Sequence, residues 1–402
     1  MRKSVVGGLS LALAVGAISV PVLASGTSAT YTDNVLNGVS CSSGTACVAV
    51  GSHTTPRFDI KTLSEAWNGT AWRLLRTPSP TGTTDSELAG VSCNSPNACI
   101  AVGSSGDKTL AEAWDGTSWR ILPTPNPALP GGGLAMDGLT GVTMLSPTNA
   151  WAVGFRSITS GRPSDTLIEH WNGRRWSVVK SPNAVAATAA GTKFNNLGGV
   201  SCSSARVCIA IGSWGTSLTR SKTLAETWNG TAWRVAATPS PTAGGGDLLS
   251  GVSALSSNDA WAVGGRRQTP DGVTKTLIEH WNGRRWMVST SPNPLVAGNE
   301  LNAVVAVSAR NVWAVGTIGL DNRVQPLAVH WNGARWARVS TPKPIGYSSL
   351  SGVARVPATP ELWAVGATAL PASPQSSVAV PLVEHWSGTG WTVTPTPAVP
   401  GG

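Results

Sequence analysis

Thr276-Leu277-Ile278-Glu279-His280-Trp281-Asn282-Gly283-Arg284-Arg285-Trp286 is one of seven variants of a single phrase in this 402-residue chain. In each, a tryptophan is followed five residues later by a second one, with glycine two places after the first. The pairs are Trp67/Trp72, Trp114/Trp119, Trp171/Trp176, Trp228/Trp233, Trp281/Trp286, Trp331/Trp336 and Trp386/Trp391. A phrase returning at a period of roughly 50 residues marks a structural unit that buries a face against its neighbours. Upstream, each unit reads Leu-x-x-Val, a turn and an Ala-Val-Gly-like strand end. Downstream, a tryptophan-led strand runs into Thr/Ser-Pro.

The units begin at Leu36, Leu88, Leu139, Leu197, Leu249, Leu301 and Leu350. Four β-like segments fit in each; in the second they are Leu88–Cys93, Cys99–Gly103, Thr109–Trp114 and Trp119–Thr124. Branched and aromatic residues fill them, Gly, Pro, Asn and Ser fill the gaps, and helical signals are nearly absent. The expectation is an all-β, seven-bladed β-propeller over residues 30–402, each blade a four-stranded antiparallel sheet. A stacked solenoid would want polar caps and a shorter, more regular period. The first strand of unit one and the last of unit seven are both present, so closure is expected from packing between end blades, with Tyr31–Val35 available as a clasp.

The chain opens with Arg2 and Lys3, then an apolar run from Val5 to Leu23 and small residues at Ala24 and Ser25. This reads as a signal peptide over residues 1–29, with cleavage sites after Ala24 (Val22 at −3) or Ala29. No cysteine follows for a lipid anchor, and no later stretch reaches membrane-spanning length, so membrane insertion is not expected. The expected location is secreted or extracellular, free or held at the cell wall. The formal charge of +9 becomes +7 when Arg2 and Lys3 are removed. The surplus is arginine scattered through the repeats (Arg73, Arg120, Arg175, Arg234, Arg285), with no basic helix or recognition motif, so nucleic acid is not an expected partner.

With the strands lettered A to D from the axis outward, A–B and C–D turns share one end and B–C and D–A connections the other. The first set is nearly constant in length. The second varies: B–C from Ser104–Lys108 to Ala367–Val380, and D–A from Ile345–Ser349 to Ala184–Asn196. Variable loops on a rigid frame are where binding sites usually sit. Trp214, placed in the B–C loop of unit four, is the candidate stacking aromatic, with Arg156, Arg220, Arg266 and Arg323 as candidate ligand-binding cations.

Cys41/Cys47, Cys93/Cys99 and Cys202/Cys208 each sit across an A–B hairpin, and in an exported chain they read as three local disulfides. No second pair or histidine stands near enough in the repeat for a metal, and none is expected. The other four units place Trp151, Trp261, Trp313 and Trp363 where the second cysteine would be, and only those carry His170, His280, His330 and His385 before the next tryptophan. These read as structural imidazoles beside the indoles. Glu65, Glu112, Glu169, Glu226, Glu279 and Glu384 recur in strand C, broken by Val329. They are expected to accept hydrogen bonds from backbone or arginine. Six alike carboxylates are not the unlike pair that catalysis wants, no cofactor motif is present, and no catalytic residue or cofactor is assigned. Asp107, Asp165, Asp271 and Asp321, read as B–C loop residues, are the acids that an axial enzyme site would use.

The Thr-Leu-x-Glu-x-Trp-Asn-Gly phrase, as at Thr276–Gly283, resembles the repeats of secreted bacterial β-propellers and, distantly, kelch and sialidase-type propellers. The resemblance spans roughly residues 36–397 and implies the fold. Kelch units carry a Gly-Gly doublet after the second strand, and here only Gly264-Gly265 comes near it. Galactose oxidase holds copper on tyrosines and histidines, whereas this chain has only Tyr31 and Tyr347. Sialidases use an arginine triad, a Tyr–Glu pair and Asp-box turns; no Asp-box occurs, and Tyr347 with Glu361 is all that matches the pair. The leading functional expectation is a binding or adhesion scaffold for a glycan or a cell-envelope protein, using the variable face. A propeller hydrolase or lyase acting on an extracellular polysaccharide and a structural cell-surface assembly protein are the alternatives.

Overall fold

The structure, a computed structural model, describes residues 33–126, 135–158, 164–184, 194–217, 219–243, 245–267, 273–294, 298–319, 324–373 and 376–399. The leader expected over 1–29, together with Tyr31, Asp271, Asp321 and Arg323, lies outside the described residues. Every regular element among them is a β-strand. Each repeat folds as a four-stranded antiparallel meander; in unit one strands A to D are Asn34–Ser43, Ala46–Thr54, Ile60–Trp67 and Trp72–Leu75. Hydrogen bonding gives five separate four-stranded sheets and one eight-stranded sheet, in which units three and four meet through one parallel pair, Ser164 with Phe194. The architecture is all-β and propeller-like.

The strands run further than sequence suggested. Strand B of unit two is Ala98–Ser105, so Gly103 lies inside the strand and does not end it. The long B–C connection expected in unit seven is mostly strand too, Leu362–Ser373 paired with Ser376–Trp386. A bulge in strand A explains the mid-strand glycine. Register slips by one between Leu36 and Gly38, and again at the matching place of every unit. A bulge turns a backbone carbonyl toward the partner strand. A side chain at Gly51 would collide with the Val35 carbonyl, and one at Gly103 with that of Glu87.

The core lies between units. Trp151, Val153 and Ile168 of unit three share one cluster with Leu197, Cys208, Leu224 and Trp233 of unit four. Units seven and one share another in the same way: Trp363, Val365 and Val383 pack with Leu36, Cys47, Leu63 and Trp72. Val399 packs on that seam, and the Ala379 N–H donates to the Asp33 carboxylate at 2.8 Å. The second tryptophan of each pair is only 4–7% exposed. In units one to six the first ties the two turns of its unit together, as where Trp281 Nε1 donates to the Ser257 carbonyl at 2.9 Å.

The three disulfides form as expected. Their relation to the strand-B tryptophans differs from the sequence reading. Counted from the mid-strand glycines Gly51 and Gly154, Trp151 corresponds to Val48, while Cys47 corresponds to Ala150. One residue along a strand reverses the face. Cys47 therefore packs toward unit seven and Trp151 toward unit four, so the two residue types are not substitutes for one another. The histidines do follow the indoles, as cross-strand partners: Trp151 opposes His170 and Trp261 opposes His280, with ring centroids 4.4 and 4.1 Å apart. Without the indole, the same pair is Val48 with Ala66.

Each disulfide closes a short loop with a sequence separation of 6 and should contribute at or below the usual ~2–4 kcal/mol. Reduction is expected to lower the denaturation midpoint while leaving the far-UV spectrum native, because four units hold the same hairpin without a bridge. Parallel urea titrations with and without reductant measure this.

Candidate functional site

The A strands of all seven units line an axial cavity of about 390 Å³. Its wall is knitted across unit boundaries. The Asn37 side chain donates to the Leu88 carbonyl at 2.9 Å, Thr140 Oγ1 to Leu197 at 2.7 Å and Asn302 to Leu350 at 2.8 Å. Beyond them, the Ser40 hydroxyl accepts from the Cys93 N–H, Ser92 from Met144, Ser201 from Ala254 and Ser253 from Ala306, each at 3.0 Å. Sequence reasoning missed these staples, although the recurring Val-Ser after Leu-x-Gly was their signal. The hydroxyls are thereby spent on structure.

Glu87 adds a carboxyl to the cavity wall, at the end where the B–C and D–A connections lie. Burial, with Asp85 adding its negative charge, pushes its pKa up to about 7. The main polar cluster on this face is in unit three. Strand A (Ala135–Ser146), B (Asn149–Ile158) and C (Ser164–Trp171) set Asp137, Arg156 and Asp165 side by side in register. Arg156 Nη2 lies 3.0 Å from Asp137 Oδ2, and Nε donates to the same oxygen at 3.2 Å. The Asp107 carbonyl accepts the Asp137 N–H at 3.0 Å, bringing a third acid alongside. Burial raises the pKa of Asp137 against the opposing pull of Arg156, and burial raises that of Asp165. Asp165 stands in a strand, not in the loop expected of it.

Trp214 also departs from its expected place. It lies in strand B of unit four (Val207–Ser217), half-buried against the inter-unit cluster it shares with Trp151 and Trp233. Lys222 Nζ sits 5.4 Å from its ring centroid, within cation–π range. Arg220 is exposed at the start of strand C of that unit. Arg266 is half-buried in unit five, opposite Asp247 and Lys275 in register. Arg156 and Arg266 thus hold one position in two units, each opposite an aspartate two residues before the unit's leucine. None of the four described candidates lines the axial cavity.

The six strand-C glutamates are all 0% exposed, and the expected arginine or backbone donors are not their partners. Hydroxyls of the preceding unit face them: Ser181 donates to Glu226 at 2.9 Å, and Thr62 lies against Glu112. Both carboxyl oxygens of Glu65, Glu112, Glu169, Glu279 and Glu384 lack a hydrogen-bond partner. Loss of solvent pushes the pKa of each of the six up to about 8, so they are neutral acids at neutral pH. Their conformity with the repeat marks them as framework. The histidines are framework too: His170 bonds Asn149 at 2.9 Å, His280 Asp259 at 2.8 Å and His330 Asn311 at 2.9 Å.

No protein-family model matches the chain, and no curated protein matches it. Solved structures do resemble it. An ulvan lyase described as a new family of polysaccharide lyase aligns over 91% of this chain and 97% of its own, with 11% identity and a TM-score of 0.54. The RRP9 WD40 repeats align over 84% and 88%, with 9% identity and a TM-score of 0.50. The fungal lectin from Aleuria aurantia, a six-bladed β-propeller, covers 76% and 92% at 13% identity and a TM-score of 0.43. At such identities the likeness concerns the fold alone, and that of the lyase and the WD40 repeats agrees with the propeller-like, all-β architecture.

Proposed function

We propose that the seven units close into a seven-bladed propeller acting as an exported binding scaffold, which takes a glycan or a cell-envelope protein on its B–C/D–A face. Closure is supported by the core shared between units seven and one, built as at every other seam. The observation that carries the binding reading is the contrast between the two kinds of side chain. Staples, glutamates and imidazoles recur through most units, whereas the Asp–Arg pairing is confined to units three and five (Asp137–Arg156–Asp165 and Asp247–Arg266) and Trp214–Lys222 to unit four, and these groups gather at one end of the strands. Side chains that vary on a constant framework are the ones recognition usually draws on.

The test is an array of glycans and cell-wall polysaccharides probed with residues 30–402. A selective signal is expected, weakened at least about tenfold by Arg156→Ala or Trp214→Ala, as for a central binding residue. A folded, oxidised protein that binds nothing on the array, or binds unchanged in both variants, rejects a glycan site on this face. A second reading, a hydrolase or lyase acting here, draws on the unlike groups around Arg156. It requires new reducing or unsaturated ends to appear when the protein is incubated with extracellular polysaccharides.

A further inference from the structure

The opposite face, made of the A–B and C–D turns, differs sharply in charge from one side to the other. In units three to six the C–D turns carry Arg174, Arg175, Arg284, Arg285 and Arg335, and the A–B turns carry Arg206 and Arg310. All seven are exposed. Across the same four units these turns hold one acid, Asp259, which is engaged with His280 at 2.8 Å. The turns of the other three units carry Asp115, Glu361 and no such arginine cluster. None of the seven guanidinium groups belongs to an ion pair among the described residues.

The turns that display these cations are rigid. The Asn172 side chain accepts the N–H groups of Arg174 and Arg175, both at 3.0 Å, and Asn282 does the same for Arg284 and Arg285. Glycines at φ near +90° close each turn, Gly173 at 87° and Gly283 at 86°. The Arg206 stem lies against Gly230 and the Arg310 stem against Gly333, so both A–B arginines are laid across their C–D turns. Between the turns sit the half-buried first tryptophans, Trp228, Trp281 and Trp331, with indole edges reaching the surface.

We propose that this arc of units three to six is a second interaction surface, which binds an acidic polysaccharide along its length. Arginine pairs with carboxylate or sulfate oxygens through its planar fork, and it does so at water-exposed sites. A single small anion would find no enclosed pocket among seven exposed side chains. A polymer with charges at regular intervals meets several guanidinium groups at once, and the effective concentration of each later contact rises. A protein partner would want an apolar centre. Of the large apolar residues left exposed in these four units, Val178, Val235 and Val288 are on the outer D strands, and Ile345 is in the D–A connection after unit six, at the opposite end. Arginine at this arc and indole edges beside it match a hydrated, anionic sugar chain.

The test measures binding of residues 30–402 to polygalacturonate, to dextran sulfate and to uncharged dextran over a range of salt. Both acidic polymers are expected to bind and dextran to fail, with affinity falling linearly in log–log form as salt rises. Replacing Arg174, Arg175, Arg284 and Arg285 together by Ser should weaken binding by about tenfold or more and flatten the salt slope. Arg120→Ser, which removes an exposed arginine from the outer strand of unit two (Trp119–Leu122), outside the arc, should change little. Near-UV tryptophan spectra of the variants confirm folding. Equal binding by the fourfold variant, equal binding to dextran, or equally tight binding of single-stranded DNA would each overturn the proposal. Because these arginines are remote from Trp214 and Arg156, failure here leaves the reading of the other face standing, and the reverse holds.

Discussion

Stability should fall steadily as pH rises from about 5 to about 8, the reverse of what paired carboxylates produce. Six glutamates have pKa values pushed up to about 8 by burial, against 4.5 for the ordinary group. Below 4.5 both states are protonated and the glutamates exert no bias. Between 4.5 and 8 the unfolded chain ionises while the folded one keeps its protons, and each group shifts the balance toward unfolding by about 1.4 kcal/mol per pH unit. Above about 8 the folded protein ionises too, and the loss levels off. Urea denaturation at pH 5, 6, 7 and 8 is expected to show a midpoint dropping at every step. A flat or rising profile would refute the neutral-acid assignment.

Two substitutions isolate the cause. Glu279→Gln keeps shape and burial while removing the titration, so its slope should be shallower than wild type by about 1.4 kcal/mol per pH unit. Val329 occupies the same strand-C position in unit six and is 0% exposed, which shows that the site accepts an apolar side chain. Val329→Glu should therefore steepen the slope by a similar amount while costing little at pH 5.

How much of this was open to reading in the sequence depended on whether a residue's role followed from its own unit. Strand number, the antiparallel meander and the disulfides did, because tryptophan pairs, Asn-Gly turns and cysteine spacing are local patterns. The glutamates did not. Their neighbours are hydroxyls of the preceding unit, such as Thr62 against Glu112 roughly 50 residues on, and a repeat inspected one copy at a time hides that pairing. The cysteine–tryptophan comparison went astray by one residue, enough to reverse a side chain on a strand. The Arg156 cluster is half legible: the arginine stands out in the sequence, but only the strand register places Asp137 opposite it. Trp214 reads as a loop residue because nothing local signals that strand B of unit four runs on to Ser217.

The mid-strand glycine is the position where a single methyl group should do most damage. Gly51→Ala would drive its Cβ into the Val35 carbonyl oxygen and against the Val35 carbonyl carbon and Leu36 Cα. Relief would require strand A to retreat from strand B. Leu36, 0% exposed, anchors strand A in the core on one side. On the other, strand A of unit one already abuts the A strands of the units on either side, since a Cβ on Gly38 would come within 3.1 Å of the Gly90 Cα and one on Gly352 equally close to the Gly38 Cα. Backbone held from both sides has nowhere to move, so the clash must be absorbed by losing the bulge and the register with it. The expected cost exceeds about 4 kcal/mol, the range reserved for defects the fold cannot relax. Gly44→Ala is the matched control: the nearest atom to its Cβ would be Val356 Cγ1 at 4.0 Å, and it should behave as wild type. Denaturation midpoints and soluble yields of the two variants decide the matter. Because Gly38 and Gly352 belong to the first and last units, a tolerated Gly51→Ala would mean that the seam between them yields, and that the ring is open there.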